Sequence, residues 1–210
     1  MKKITLRILV VVLLFFSFLL QGCASRKPLV KKDFASLTPL TVVFYYDDIR
    51  VKSWLRWIAP ASPGVGIGQY AHERSLANAV ASGIKPGFSA LVMKKFVDRV
   101  CKETPNCPAT PFEEEHVTPS YIREFKSGNL MIFYAQIFAG DTYFRSWTGA
   151  KILDSEGNVL LEKWVGYNAK DYGRKCTYNK DASDFFKLLK EEMNFAADII
   201  VSDFFQTLLK

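Results

Sequence analysis

Residues 130–167 read LMIFYAQIFAGDTYFRSWTGAKILDSEGNVLLEKWVGY, and this stretch decides the fold class. β-Branched and aromatic residues crowd 130–139, 142–153 and 159–167, which predicts three strands. Gly140-Asp141 supplies the first turn, and Asp154-Ser155-Glu156-Gly157-Asn158 has the chemistry of a hairpin loop. Connections this short join only antiparallel neighbours, so the three strands form a meander. Residues 168–180 are a polar excursion carrying Asn168, Asp171, Gly173, Arg174, Lys175 and Cys176. A long helix over 181–210 closes the chain. Phe186, Leu189, Met193, Ala197, Ile200, Phe204 and Leu208 recur along it at helical spacing, with Asp181 and Ser183 as candidate caps. Phe185, Ile199 and Phe205 widen that stripe beyond one contact face. Such a helix either lies deep against the sheet or also meets a second subunit.

Upstream of the meander, LTVVFYY at 40–46 follows Pro39 and reads as a buried strand. Asp47-Asp48 ends it. Paired carboxylates there could hold a cation or do acid–base work, but a turn with solvated side chains is the preferred reading. Residues 73–82 have helical composition, and Gly83-Ile84-Lys85-Pro86-Gly87 breaks the run. A second helix is predicted from about 88 to 102, with Phe88, Leu91, Val92, Phe96, Val100 and Cys101 on one stripe. Pro105, Pro108 and Pro111 hold the next stretch out of helix. Glu113-Glu114-Glu115-His116 falls there and reads as a solvated acidic patch, because adjacent loop residues cannot all converge on one ion. These elements predict an α+β fold: a mixed, largely antiparallel sheet with a C-terminal three-strand meander, and helices packed on one face.

The N-terminus says where the domain works. Lys2, Lys3 and Arg7 precede a thirteen-residue run, 8–20, interrupted only by Ser17. A basic start, an apolar run of that length and a small residue at its end describe an export signal. The run is too short for an ordinary spanning helix, which needs about 20 residues. It closes on Leu20-Gln21-Gly22-Cys23, which resembles the bacterial lipobox. That resemblance implies cleavage before Cys23 and lipid on its thiol and new amino group. Ala24 in place of Asp resembles the outer-membrane sorting pattern. The expected organisation is a signal peptide at 1–22, a lipidated Cys23 with a tether to 36, and one periplasmic domain at 37–210. The tether holds Arg26, Lys27, Lys31 and Lys32. Its thirteen residues after Cys23 span about 20 Å as a coil.

Removing 22 residues from 210 leaves 188, enough for one domain with its own core. The formal charge of +7 falls to +4 once the three leader cations are gone. So mild a surplus, in an exported chain, argues against nucleic acid and for attraction to an anionic membrane surface. Cys101, Cys107 and Cys176 remain where disulfides are permitted. Cys101 and Cys107 bracket a turn-rich spacer and are the favoured pair, while pairing of either with Cys176 stays open. Zinc is disfavoured, since C-x5-C with one distant Cys lacks ligand spacing.

No motif names a reaction. His72-Glu73-Arg74-Ser75-Leu76 lacks the second His of H-E-x-x-H. A nucleophile elbow is missing too. Gly64, Gly66 and Gly68 alternate, so they miss both the dinucleotide and the phosphate-loop spacing. No cofactor or metal is expected, and no catalytic residue. Trp54, Trp57 and Ile58, with Val65 and Ile67 between those glycines, form an apolar segment suited to docking on a membrane or a partner. The alternative is that the two tryptophans fold back onto the core.

The run at 149–160, with a terminal amphipathic helix and a lipobox, resembles envelope lipoproteins of the curli-secretion (CsgG) and TolB N-terminal type. In these a strand ends in Asp, a Gly-containing turn follows, and the next strand opens on an aliphatic pair. The resemblance covers about 40–46 and 130–210. It implies a non-catalytic binding or assembly component of an envelope transport or secretion complex, anchored in the outer membrane with other envelope proteins as partners. The alternative is a homo-oligomer that forms a ring or channel. Less favoured is an enzyme built on a free cysteine.

Overall fold

The computed structural model describes residues 37–52, 78, 85, 87–105, 107–112, 115–140, 143–174 and 182–208. Segments rich in β-branched and aromatic residues make β1 (Leu40–Phe44), β2 (Asp48–Lys52), β3 (Asn129–Gly140), β4 (Tyr143–Leu153) and β5 (Val159–Asn168). The helices are α1 (Phe88–Glu103), α2 (Pro119–Glu124) and α3 (Ala182–Leu208), and a 3-10 turn, Ala169–Tyr172, follows β5. The sheet runs β1-β3-β4-β5, with β2 also on β3 as a continuation of β1. Strands β3, β4 and β5 are the expected antiparallel meander. Both β1 and β2 lie parallel to β3, so the sheet is mixed and the fold is α+β.

One face of the sheet meets the two long helices. Val42, Phe44, Met131, Phe133 and Ile152 pack there against Phe88, Val92, Phe96 and Val100 of α1 and Leu189, Ile200 and Phe204 of α3. Their spacing is two along the strands and three or four along the helices, as each element requires. Two of the residues that widen the α3 stripe serve inside the fold. Ile199 and Phe205 pack onto the core, and the Arg99 guanidinium from α1 lies 4.2 Å from the Phe205 ring centre. Lys95 and Asp198 pair at 2.6 Å across the same two helices. At the other end of α3, buried Glu192 accepts from Tyr167 Oη at 2.5 Å and Arg174 Nε at 2.6 Å, which fixes the chain after β5.

Two helix-face side chains of β4 break the pattern. Ser146 and Thr148 are fully buried, and among the described residues their hydroxyls have no hydrogen-bond partner. A buried unpaired hydroxyl costs about 1–3 kcal/mol, whereas an apolar group of the same shape costs little. Thr148→Val should therefore stabilise the protein by about 1 kcal/mol, seen as a higher urea midpoint at constant slope. A lower midpoint would mean that the hydroxyl is satisfied in solution.

Outside β1, the chain from α1 seals the sheet edge. Thr104 caps α1 through its N–H to the carbonyl of Val100 at 2.8 Å. Cys101 and Cys107 are joined, their Cα atoms 4.5 Å apart, and Cys176 lies outside the described residues. Ala109 then exchanges backbone bonds with Leu40 and Val42, and the Val117 N–H reaches the Phe44 carbonyl at 2.9 Å. The disulfide holds the turn that delivers this edge cover. Cys101→Ser with Cys107→Ser should cost about 2 kcal/mol by the loop-entropy estimate for so short a ring. Equal denaturant midpoints for that variant and the oxidised protein would show that the bridge adds nothing.

Asp47 departs from the sequence expectation. From Phe44 to Asp48 the edge advances four residues while β3 advances three, from Phe133 to Gln136. The extra residue is a bulge, and bulges re-aim side chains. It turns Asp47 to the helix face, where its carboxylate accepts from the N–H groups of Phe88 (2.6 Å) and Ser89 (3.0 Å) and from the Ser89 hydroxyl. Asp47 is thus a part-buried cap of α1, not a solvated turn residue. Asp48 alone stays near solvent, paired with Arg50 at 3.0 Å.

Candidate functional site

The second face of the sheet is only half covered. Leu130, Ile132, Leu153 and Val43 are buried there beneath Phe112, Val117, Tyr121, Ile122 and Phe125, the last three from α2 and its end. Thr118 accepts from the Tyr121 N–H and Pro119 occupies the first turn, so this short helix has a proper start. Past Ile132 no described segment lies over the strands. An open groove of about 880 Å³ runs from α2 along this face, between Tyr46 and Ile122 on one side and Glu162 and Trp164 on the other.

Register lays the exposed half out as a grid. Across the strands, Tyr134 faces Gly149, which faces Trp164; Asp48 faces Gln136, then Trp147, then Gly166; Arg50 faces Phe138, then Arg145, then Asn168. Aromatic rings thus alternate with planar polar groups on a single surface. Two glycines allow the rings to lie down. A Cβ on Gly149 would sit 2.4 Å from Cε2 and Cζ of Tyr134, and one on Gly166 would sit 3.3 Å from Trp147 Cζ3. Tyr134 therefore rests across β4 and Trp147 across β5. Trp164 stands edge-on to Tyr134, with ring centres 4.7 Å apart and planes at 89°. Trp147 keeps 52% of its surface exposed and Trp164 43%, so both offer ring area to a ligand.

Polar contacts fix this corner. Tyr134 Oη donates to Glu162 Oε1 at 2.9 Å, and Lys151 Nζ lies 3.8 Å from Glu162 Oε2. Burial, then the hydrogen bond to Glu162 and its negative charge, push the Tyr134 hydroxyl well above the ordinary phenol range. It remains a donor at any physiological pH. Gly149→Ala should force the Tyr134 ring off the strand and break its bond to Glu162, costing about 2 kcal/mol by overpacking. An unchanged melting temperature in that variant would refute the flat placement.

The surface can bind, orient and desolvate. Among the described residues no group of three His, Cys, Asp or Glu could hold a metal ion. Glu115 and His116 are exposed, as expected for a solvated patch, while Glu113 and Glu114 lie outside the described residues. So do Cys23, Trp54, Trp57, Ile58, Val65, Ile67 and His72. The sequence reading passed over Tyr134, Trp147 and Trp164. The available signal was their shared strand parity beside Gly149 and Gly166, since glycine inside a strand marks close approach.

No family model and no curated protein matches this chain. Among solved structures, a crystal structure of an uncharacterized protein is similar over 84% of this chain and 94% of its own, at 10% identity and a TM-score of 0.36. A second is a crystal structure of a protein assigned as a neuraminyllactose-binding hemagglutinin homolog from Helicobacter pylori. It covers 87% of each chain at 7% identity and a TM-score of 0.33. At these values neither likeness carries an argument about what this chain does.

Proposed function

We propose that this protein is a lipid-anchored, non-catalytic binding component of the bacterial envelope, and that it engages its partner through the open face of the sheet. The single observation that carries the binding role is that face, with the Trp147 and Trp164 rings half exposed beside a groove of about 880 Å³. Contiguous exposed rings of this kind mark interaction sites on soluble domains. Anchorage rests on Leu20-Gln21-Gly22-Cys23 after an apolar leader. Lipoprotein processing adds more than one acyl chain, which makes for a firm anchor. Placement in the outer membrane, facing the periplasm in a transport or secretion assembly, rests on Ala24 and on the resemblance of 149–160 to envelope lipoproteins. No helix among the described residues is long and apolar enough to cross a membrane. The width of the last helix supports the ring or channel alternative less, because Ile199 and Phe205 pack onto the core.

The test is native mass after extraction of envelopes in mild detergent. The lipidated protein should run heavier than its monomer and with a second component. Trp147→Ala with Trp164→Ala should keep the melting temperature and membrane anchorage while returning it to monomer mass. A heavier particle unaffected by the double change would move the contact elsewhere, with Trp54 and Trp57 next to be changed. A wild-type monomer would end the assembly reading.

A further inference from the structure

We infer that the open sheet face is a saccharide-binding site, built for an oligosaccharide segment of a glycan-bearing envelope partner. The inference rests on the binding role proposed above and names the ligand chemistry. A pyranose ring presents C–H groups on its faces and hydroxyls around its rim. It is held when an aromatic ring meets a C–H face and planar polar side chains take the hydroxyls in pairs. Both requirements are met here, in alternation. Trp147 lies flat over Gly166 with its outer surface open, and Tyr134 and Trp164 form a floor and a wall at 89°. Gln136 sits in register between Trp147 and Asp48, so an amide stands on the strand next to the exposed indole and a carboxylate one strand further on. Glu162 has one oxygen on Tyr134, and its other lies 3.8 Å from Lys151. Neighbouring rows along a strand are about 7 Å apart, so the Trp164 corner and the Trp147 platform suit two linked sugar rings.

The charge pattern sets other ligands aside. Arg50 is held by Asp48, Lys151 faces Glu162 and Arg145 is engaged within the fold, which leaves a single exposed arginine of the groove lining, Arg123, to meet a ligand's charge. A polyanion needs cations left over for its phosphates. A purely apolar chain would strip water from Gln136, Lys151 and Glu162 without replacing its hydrogen bonds. A neutral ligand with many hydroxyls meets neither cost.

Full-length lipidated protein in detergent micelles would be titrated with chitotriose, cellotriose and maltotriose, read by saturation-transfer NMR, with a fifteen-residue oligothymidylate as comparator. At least one trisaccharide should bind, and Trp147→Ala and Trp164→Ala should each weaken it about tenfold without a change in melting temperature. Leu188→Ala, at an exposed position on α3, should leave it unchanged. Binding of no trisaccharide, tighter binding of the oligothymidylate, or affinity indifferent to both tryptophans would each overturn the inference. If no sugar binds while the double tryptophan variant still loses its heavier particle, the saccharide inference falls and the binding role stands. If that particle survives the double change, the binding role of this face falls with it.

Discussion

Phe133→Ala should cost about 4 kcal/mol, the largest loss expected from a single change in this protein. Phe133 is fully buried at the centre of β3. Its ring meets Phe96 of α1 at 5.4 Å between centres and Phe204 of α3 at 5.7 Å, so one side chain joins sheet and both long helices. Truncation removes the transfer free energy of the ring and leaves a cavity. Three rigid elements meeting at one point cannot collapse into it, which puts the cost at the upper part of the range for such changes. Urea denaturation gives the number directly. A loss under about 2 kcal/mol would mean that α1 or α3 relaxes inward. The open face lies on the other side of the sheet, so ligand binding by the folded fraction should persist.

Asp47→Ala should cost about 3 kcal/mol, more than an ordinary helix cap. The carboxylate serves three donors at once, and both Phe88 and Ser89 are fully buried, so the orphaned groups regain little water. Burial outweighs those hydrogen bonds and holds the Asp47 carboxyl above the usual range. The folded protein therefore keeps this proton at pH values where the unfolded chain has lost it. The stability that follows is fully present below the unfolded pKa and is lost as pH rises through the higher folded value. Asp47→Asn cannot titrate. The stability gap between the natural protein and Asp47→Asn should accordingly be wider at pH 4 than at pH 7. A gap that widens toward neutral pH would give the shift the opposite sign.

The partly sealed second face gives these stability changes a functional bearing. The bulge that sends Asp47 to α1 is also what brings Asp48 into line with Gln136 and Trp147. One inserted residue thus caps a helix on one side and completes the polar row on the other. Loss of the cap should loosen both, which makes Asp47→Ala a poor control for binding and Leu188→Ala a good one.

Local physics made much of the fold readable from the chain. β-Branched and aromatic content and turn chemistry placed the meander strands at 130–139, 142–153 and 159–167, and they are found at Asn129–Gly140, Tyr143–Leu153 and Val159–Asn168. Helical spacing placed α1 at 88–102 against an observed Phe88–Glu103, and the closing helix at 181–210 against Ala182–Leu208. Each of these patterns is set within a few residues, by period, propensity and turn geometry. The parallel pairing of β1 and β2 with β3 was not readable in this way, because residues such as Val43 and Ile132 meet across a long stretch of chain. Nor was the role of Asp47, whose partners lie 41 and 42 residues away. The candidate site belongs to the same class. Strand parity puts Tyr134, Gln136, Trp147 and Trp164 on one face, but only packing decides whether that face is core or surface. The long helices cover one side of the sheet and the short α2 segment stops at Ile132 on the other. Which rings stay in contact with water follows from how much covering chain is left over, a tertiary quantity that no local pattern encodes.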